Sequence, residues 1–189
     1  TPTVGREEDI ATVLTLLAQG RRLVTILGPG GVGKSRLLAE AGARLGQDPA
    51  DEVVYVDLSG LGAGSAADIA DAVAVGFALP TSAKDPVTAL VTALAADRLV
   101  ALVDEAEWSP TAVAEVASRI LQGCPGVRLV VTSRVPLDVL GESRILLAPL
   151  ACPAEDATGA DARSAPAVRL LEDRLRDHAP DLVISDADG

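Results

Sequence analysis

The sequence predicts an α/β fold in which a parallel β-sheet is covered by helices on both faces. Short apolar runs rich in Val, Leu and Ile alternate with segments whose apolar residues recur at helical spacing. One of these runs is followed by a glycine-rich segment and then by a helix, which is the context that a phosphate-binding loop requires. Nearly half of the 189 residues are hydrophobic, so the chain can bury the core of such a fold.

The predicted elements follow one another regularly along the chain. Strands are predicted at the apolar runs 22–27, 52–58, 98–104, 128–132 and 144–147. Helices are predicted around the apolar stripes 10–17 and 37–45 and over about 66–78, 86–96 and 110–122. Pro80 and Pro86 separate the third helix from the fourth, and Gly123 followed by Pro125 ends the fifth.

Three parts are predicted along the chain. Residues 1–150 contain all of the predicted strands and form the domain that carries the phosphate-binding loop. Residues 151–166 are rich in Ala, Asp, Pro, Ser and Gly, which is typical of a linker. Val168 and Leu171 then begin an amphipathic helix, and we expect residues 167–189 to be the start of a truncated helical domain.

The glycine-rich segment matches the G-x-x-x-x-G-K-[ST] pattern and reads Gly28-Pro29-Gly30-Gly31-Val32-Gly33-Lys34-Ser35. Glycines let the backbone approach phosphate oxygens with its N–H groups pointing inward, and the following helix adds the positive end of its dipole. Lys34 brings a compact positive charge to the β- and γ-phosphates, and the Ser35 hydroxyl can bind Mg²⁺. The motif predicts a nucleoside triphosphate site, and Arg36 is included among its predicted binding residues.

The third predicted strand ends in two acids, as a Walker B strand does. Asp104 is predicted to hold Mg²⁺, and Glu105 to orient and deprotonate an attacking water. The alternatives are a loop cap or ion-pair partner for Asp104 and a carboxylate turned away from the site for Glu105. Further along, Glu107 is interpreted as a solvated charge and Trp108 as a packing anchor.

The fourth predicted strand ends at Thr132-Ser133-Arg134. If this strand lies between the first and the third, its tip faces the γ-phosphate. Arg134 is then predicted to sense or stabilise that charge, because a planar guanidinium matches phosphate oxygens and stays charged. Thr132 or Ser133 could hydrogen-bond near the water, and the alternative for Arg134 is an ordinary surface arginine.

Charge and hydropathy exclude some functions. The net charge of −11 argues against direct nucleic-acid binding by a basic face of this chain. No apolar run approaches the roughly 20 residues of a membrane span, and no charged-then-apolar signal segment is seen. We therefore expect a cytoplasmic protein without a membrane partner.

Four ordered elements resemble the STAND class, the signal-transducing NTPases with numerous domains, in its NB-ARC-like branch of bacterial transcriptional regulators. These elements are the Val4-Gly5-Arg6-Glu7 box, the phosphate-binding loop 28–35, the Leu102-Val103-Asp104-Glu105 strand end, and Thr132-Ser133-Arg134 followed by Pro136-Leu137. Within this branch the chain is most similar to the large antibiotic-pathway (SARP-type) regulators.

The resemblance implies a P-loop NTPase three-layer sandwich with a five-stranded parallel sheet of order 5-1-4-3-2. It also implies that Val4 and Arg6 contact the adenine end of the nucleotide and that Arg134 contacts the γ-phosphate. Many such regulators carry an amide after the Walker B aspartate. Glu105 departs from that pattern and favours real hydrolysis.

The leading hypothesis is an ATP- or ADP-binding, Mg²⁺-dependent and slowly hydrolysing switch domain of a transcriptional regulator. Its partners would be DNA-binding and helical-repeat domains of the same polypeptide, and further copies of the chain in a nucleotide-dependent homo-oligomer. One alternative is an interaction scaffold that holds ADP with negligible turnover. Another is a DNA-remodelling AAA-like ATPase, which the acidic charge disfavours.

Overall fold

In this computed structural model the described residues are 3–48, 52–81, 83–154, 157 and 159–178. The strands are β1 (Leu23–Leu27), β2 (Glu52–Asp57), β3 (Leu99–Asp104), β4 (Val127–Ser133) and β5 (Glu142–Leu146). The α-helices are α1 (Glu7–Ala18), α2 (Lys34–Leu45), α3 (Ala66–Gly76), α4 (Pro86–Leu94), α5 (Pro110–Gly123), α6 (Gly159–Ser164) and α7 (Pro166–His178). A short 3₁₀-helix spans Ala106–Trp108 between β3 and α5.

The strands form one parallel five-stranded sheet in the order β2-β3-β4-β1-β5. This confirms the predicted order 5-1-4-3-2 and the predicted position of β4 between β1 and β3. Parallel neighbours must be joined by crossovers, so the connecting helices pack on both faces of the sheet. The carboxyl ends of β1, β3 and β4 consequently lie side by side at one edge of the sheet.

Two apolar clusters lie on opposite faces of this sheet. One is formed with α3, α4 and α5, and the other with α1 and α2. Strand β3 is buried along its whole length, and its side chains alternate between the clusters, with Ala101 and Val103 in the first and Val100 and Leu102 in the second. A continuous apolar strand is what a sheet covered on both faces requires. The core therefore fixes the strand ends that carry the polar residues.

Helix starts follow local capping chemistry. The Ser65 hydroxyl accepts the amide of Asp68, whose carboxylate accepts the amide of Ser65, so α3 begins with a capping box. The Asp85 carboxylate accepts the amide of Thr88, and Pro86 occupies the first turn of α4. These short signals explain why the predicted helix starts at 66 and 86 agree with the structure.

The chain divides into two compact units, one of residues 9–147 and the other of the described parts of 1–8 and 148–189. Within the segment 151–166, residues Gly159–Ser164 form α6, and the division of the chain into domain, linker and helical domain stays a prediction. The Ala, Asp and Arg residues of α6 support a helical turn, and the Ser164 hydroxyl donates to the Asp161 carbonyl at 2.7 Å. Residues 179–189 of the predicted helical domain lie outside the described residues. In the described part of the chain, no helix is both long and apolar enough to cross a membrane.

Candidate phosphate-binding site

The loop between β1 and α2 has the backbone of an anion-binding nest. Gly31 and Gly33 have φ angles of +79° and +99°, in the left-handed region that only glycine adopts without strain. Gly33 is also the N-cap of α2, and a glycine offers no side chain to the first amides of the helix. Those amides and the positive end of the helix dipole are therefore available to an anion.

At two other positions of the loop, neighbouring atoms leave little room for a side chain larger than that of glycine. A Cβ on Gly28 would lie 2.9 Å from Cγ1 of Val32 and 3.0 Å from the carbonyl oxygen of Leu147. A Cβ on Gly30 would lie 3.1 Å from Nη2 of Arg134. The loop thus passes directly against the guanidinium of Arg134, at the tip of β4.

Lys34 is folded back against its own loop. Its side chain is 7% exposed, and Nζ donates to the carbonyls of Gly28 at 3.1 Å and Pro29 at 3.3 Å. A carboxylate oxygen of Glu107 lies 3.6 Å from the same Nζ. A buried ammonium needs such partners, because burying an unpaired charge is costly.

Asp104 is the centre of a hydrogen-bonded group at the end of β3. Its Oδ1 accepts from the hydroxyl of Ser35 at 3.1 Å, from the hydroxyl of Thr132 and from the amide of Glu105 at 3.1 Å. Its Oδ2 accepts from the hydroxyl of Tyr55 at 2.5 Å. Burial and the adjacent Asp104 carboxylate raise the pKa of Tyr55, so the phenol remains a donor at neutral pH.

Ser35 and Asp104 fit a Mg²⁺ ion. Mg²⁺ prefers hard oxygen ligands and is usually held by one or two side chains together with phosphates and waters. The Ser35 hydroxyl and the Asp104 carboxylate already lie within hydrogen-bonding distance of one another beside the loop. The pair therefore supplies the type and number of ligands that such an ion takes.

Glu105 has a strained backbone with a φ of +61°, which is uncommon for a residue other than glycine and is found at functional sites. Its amide donates to the Thr132 hydroxyl at 2.9 Å, and its Oε2 accepts from Nε1 of Trp108 at 3.0 Å. Trp108 is 52% exposed, so the interpretation of this residue as a packing anchor is wrong. The 3₁₀ turn directs the indole toward Glu105 rather than into the core.

Arg134 and Glu107 form an ion pair at the mouth of the cleft. Nε of Arg134 lies 3.0 Å from Oε1 of Glu107, and the arginine side chain is 57% exposed. Glu107 is only 11% exposed, so its interpretation as a solvated charge is wrong. The 3₁₀ turn after β3 points this carboxylate inward, which residue spacing in the sequence could not indicate.

These side chains border one cleft of about 270 Å³ at the carboxyl edge of the sheet. Its lining residues are Gly30, Gly31, Gly33, Lys34, Ser35, Arg36, Glu105, Glu107 and Arg134. The predicted residues of the loop, of β3 and of β4 are therefore brought together. Ligands of open α/β sheets bind at this edge.

Val4 and Arg6 lie in the other compact unit. Each is 8% exposed, and Nη1 of Arg6 donates to the carbonyl of Ala148 at 2.8 Å. Gly5 between them has a φ of +66°, and a Cβ there would lie 2.6 Å from Cβ of Pro166. The contact of Val4 and Arg6 with an adenine ring stays a prediction.

The sequence patterns did not indicate the contacts of Tyr55 and Glu107 at this site. Tyr55 lies on β2 opposite Leu102 of β3, and its hydroxyl reaches Asp104 further along the neighbouring strand. Such a contact could be expected once β2 is placed beside β3. For Glu107 the sequence offers one indication, an acidic residue that follows soon after Asp104 and Glu105.

A family model described as AAA domain matches residues 17–138, which is more than half of the chain. The matched range contains the phosphate-binding loop, the Asp104 group and Arg134. Val4 and Arg6 lie outside it.

Relatives in mycobacteria are much longer than this chain. An uncharacterised protein of Mycobacterium tuberculosis is 28% identical over 189 residues, which are 98% of this chain and 44% of that protein. A protein of the same species, named as a candidate HTH-type transcriptional regulator, is 32% identical over 128 residues, which are 67% of this chain and 14% of that protein. The chain thus spans less than half the length of the curated relatives it matches.

Solved structures share the fold at low sequence identity. A STAND protein with a tetratricopeptide repeat sensor from Pyrococcus horikoshii superposes with a TM-score of 0.54 and 15% identity, covering 95% of this chain and 26% of that chain. A Drosophila ORC chain, from a structure of ORC bound to DNA, gives a TM-score of 0.56 and 18% identity over 76% of this chain and 42% of its own. At these identities the likeness concerns the fold alone.

Proposed function

This chain belongs to the AAA domain family, and on that premise we propose that it is an ATP- and ADP-binding switch domain of a transcriptional regulator. The observation that carries the proposal is the cleft where the phosphate-binding loop meets Asp104, Glu105 and Arg134. The name of the mycobacterial regulator supports the regulatory context. Slow hydrolysis of ATP would change the contacts at this cleft and so reset the switch.

Each side chain of the cleft has a proposed task. Lys34 and Arg134 neutralise the terminal phosphates, which suits their position in the lining of the cleft. Ser35 and Asp104 would hold Mg²⁺, which offsets the negative charge of the phosphates when it is bound. Glu105 orients the attacking water and accepts its proton, for which its carboxylate must leave the indole of Trp108.

We further propose that the chain belongs to the NB-ARC-like branch of the STAND class and that it functions as the antibiotic-pathway (SARP-type) regulators do. Val4 and Arg6 are proposed to contact the adenine ring. ATP would favour an open, self-associating form and ADP a closed one, with DNA-binding and helical-repeat domains of the same polypeptide as partners. The ordered set of loop, acids and arginine supports this reading.

The test is nucleotide binding by a lysine variant with a matched control. The two lysines of the chain are Lys34, buried in the cleft, and Lys84, exposed before α4. Isothermal titration with ATP, ADP and GTP, with and without Mg²⁺, should show at least about 30-fold weaker binding for Lys34→Ala, since removing a buried charge contact costs about 2–5 kcal/mol. Lys84→Ala should bind as the unchanged protein does. Full affinity in Lys34→Ala would refute the proposal.

A scaffold that holds ADP without turnover is the second candidate, and the hydrogen bond between Trp108 and Glu105 favours it. A carboxylate engaged by an indole is not directed at a water. Steady phosphate release that is lost in Glu105→Gln supports the enzyme, and release that does not change in this variant supports the scaffold. Glu115→Gln, an exposed change on α5, is the matched control.

A further inference from the structure

Glu107 contacts two of the cationic side chains that line the cleft through a single oxygen. Its Oε1 lies 3.0 Å from Nε of Arg134 and 3.6 Å from Nζ of Lys34. These two cations come from different elements, the first turn of α2 and the residue that follows β4. One carboxylate therefore joins the phosphate-binding loop to the tip of β4.

The second oxygen of Glu107 is buried and has no hydrogen-bond partner among the described residues. A buried acceptor without a donor costs free energy, and native structures contain few of them. Packing and hydrogen bonding alone do not favour this position. Attraction to Lys34 and Arg134 holds the carboxylate here in spite of that cost.

The same two cations are those that the proposed function assigns to the terminal phosphates. Lys34 is otherwise bonded to loop carbonyls, and the guanidinium of Arg134 lies against Gly30 of the loop. An anionic oxygen that contacts both must lie between the loop and the tip of β4. The carboxylate of Glu107 lies there.

We propose that Glu107 is a substitute for the γ-phosphate and makes the cleft discriminate between nucleoside triphosphates and diphosphates. This inference rests on the proposed function. ADP lacks the phosphate that competes for Arg134, so the ion pair between Glu107 and Arg134 stays in place even where the β-phosphate binds Lys34. ATP must displace the carboxylate from both cations, so Glu107 weakens ATP binding relative to ADP binding.

The test compares Glu107→Gln with Glu115→Gln, the same substitution at an exposed position of α5. Isothermal titration with Mg²⁺ measures the affinities for ADP and for the non-hydrolysable triphosphate analogue AMP-PNP. Glutamine keeps the shape and removes the charge, so the ratio of the two affinities should shift toward AMP-PNP by about tenfold, or 1.4 kcal/mol. Glu115→Gln should leave the ratio unchanged.

A ratio in Glu107→Gln within twofold of the unchanged protein overturns this inference and leaves the proposed function standing. Failure of the unchanged protein to bind either nucleotide overturns the proposed function and this inference with it. A general loss of packing at the site would weaken the binding of both nucleotides alike and would not change the ratio of their affinities.

A measurement on the unchanged protein covers the case in which Glu107→Gln does not fold. The Nε–Hε resonance of Arg134 in an NMR spectrum reports the contact with Glu107. It is assigned by its disappearance in Arg134→Lys. ADP should leave this resonance near its position without nucleotide, and AMP-PNP should move it. Equal displacement by both nucleotides overturns the inference.

Discussion

Glu142 and Glu107 are both largely buried glutamates paired with an arginine, but their oxygens are satisfied differently. The Glu142 side chain is 2% exposed, and its Oε1 accepts from the amide of Leu137 at 3.0 Å. Its Oε2 accepts from the amide of Asp138 at 3.1 Å and from Nε of Arg144 at 2.8 Å. Each oxygen of Glu142 has a donor, and this carboxylate fixes the turn before β5.

Glu107 makes both of its ion pairs through Oε1, and its Oε2 is buried without a partner among the residues that the structure describes. The difference separates two uses of a buried carboxylate. A fully hydrogen-bonded one stabilises the fold, whereas one held only by cations that a ligand also needs can be exchanged for that ligand. Measuring the stability of variants at each site tests this distinction.

The largest expected effect is on the stability of Glu142→Gln. The substitution puts an amide donor where the carboxylate accepts backbone N–H groups, and we expect a loss of about 2 kcal/mol in the free energy of unfolding. Glu107→Gln should lose less, about 1 kcal/mol, because Lys34 keeps its hydrogen bonds to the carbonyls of Gly28 and Pro29. Urea denaturation at pH 7 measures both values. Equal losses at the two sites would contradict the distinction.

A smaller effect is expected in the pH dependence of the Glu142 contribution. Burial alone would raise the pKa of Glu142, but the nearby Thr25 hydroxyl, the Leu137 amide and the hydrogen bond and charge of Arg144 lower it. A carboxyl whose folded pKa is depressed stabilises the fold above its unfolded pKa, near 4.3, and loses that contribution as pH falls through the folded value. The difference in unfolding free energy between the unchanged protein and Glu142→Gln should be constant near neutrality and shrink below about pH 4. If this difference in unfolding free energy grows on acidification, the pKa of Glu142 is raised rather than lowered in the folded protein.

The smallest expected effect is that of Asp138→Asn. Asp138 also pairs with Arg144, at 2.5 Å, but its side chain is 80% exposed, and exposed pairs contribute about 1 kcal/mol or less. Its φ of +56° is tolerated by asparagine, so the change removes only the charge. Thermal unfolding should show a change below about 0.5 kcal/mol at moderate salt. A loss as large as that of Glu142→Gln would show that ion pairing, rather than the backbone hydrogen bonds, accounts for the stability of this cluster.

Most of the fold could be predicted because local patterns and the core agree. The apolar run of β3, the capping signals at Ser65 and Asp85, and the glycines of the loop each have a local physical cause. The secondary structure of the segment 151–166 is harder to predict from the sequence, because a short helix and a loop can have the same composition. Its Ala, Asp and Arg residues are compatible with both.

Local sequence patterns are enough to identify the phosphate-binding loop, the acids that follow β3 and the arginine that follows β4, because motif spacing and strand ends are local properties of the chain. The partners of those residues depend on the tertiary structure. The sheet order brings Tyr55 to Asp104, and the turn at 106–108 sends Glu107 inward between Lys34 and Arg134. Such contacts depend on neighbouring strands and on the backbone of one short turn, including the positive φ of Glu105, and no periodicity of residue types encodes them.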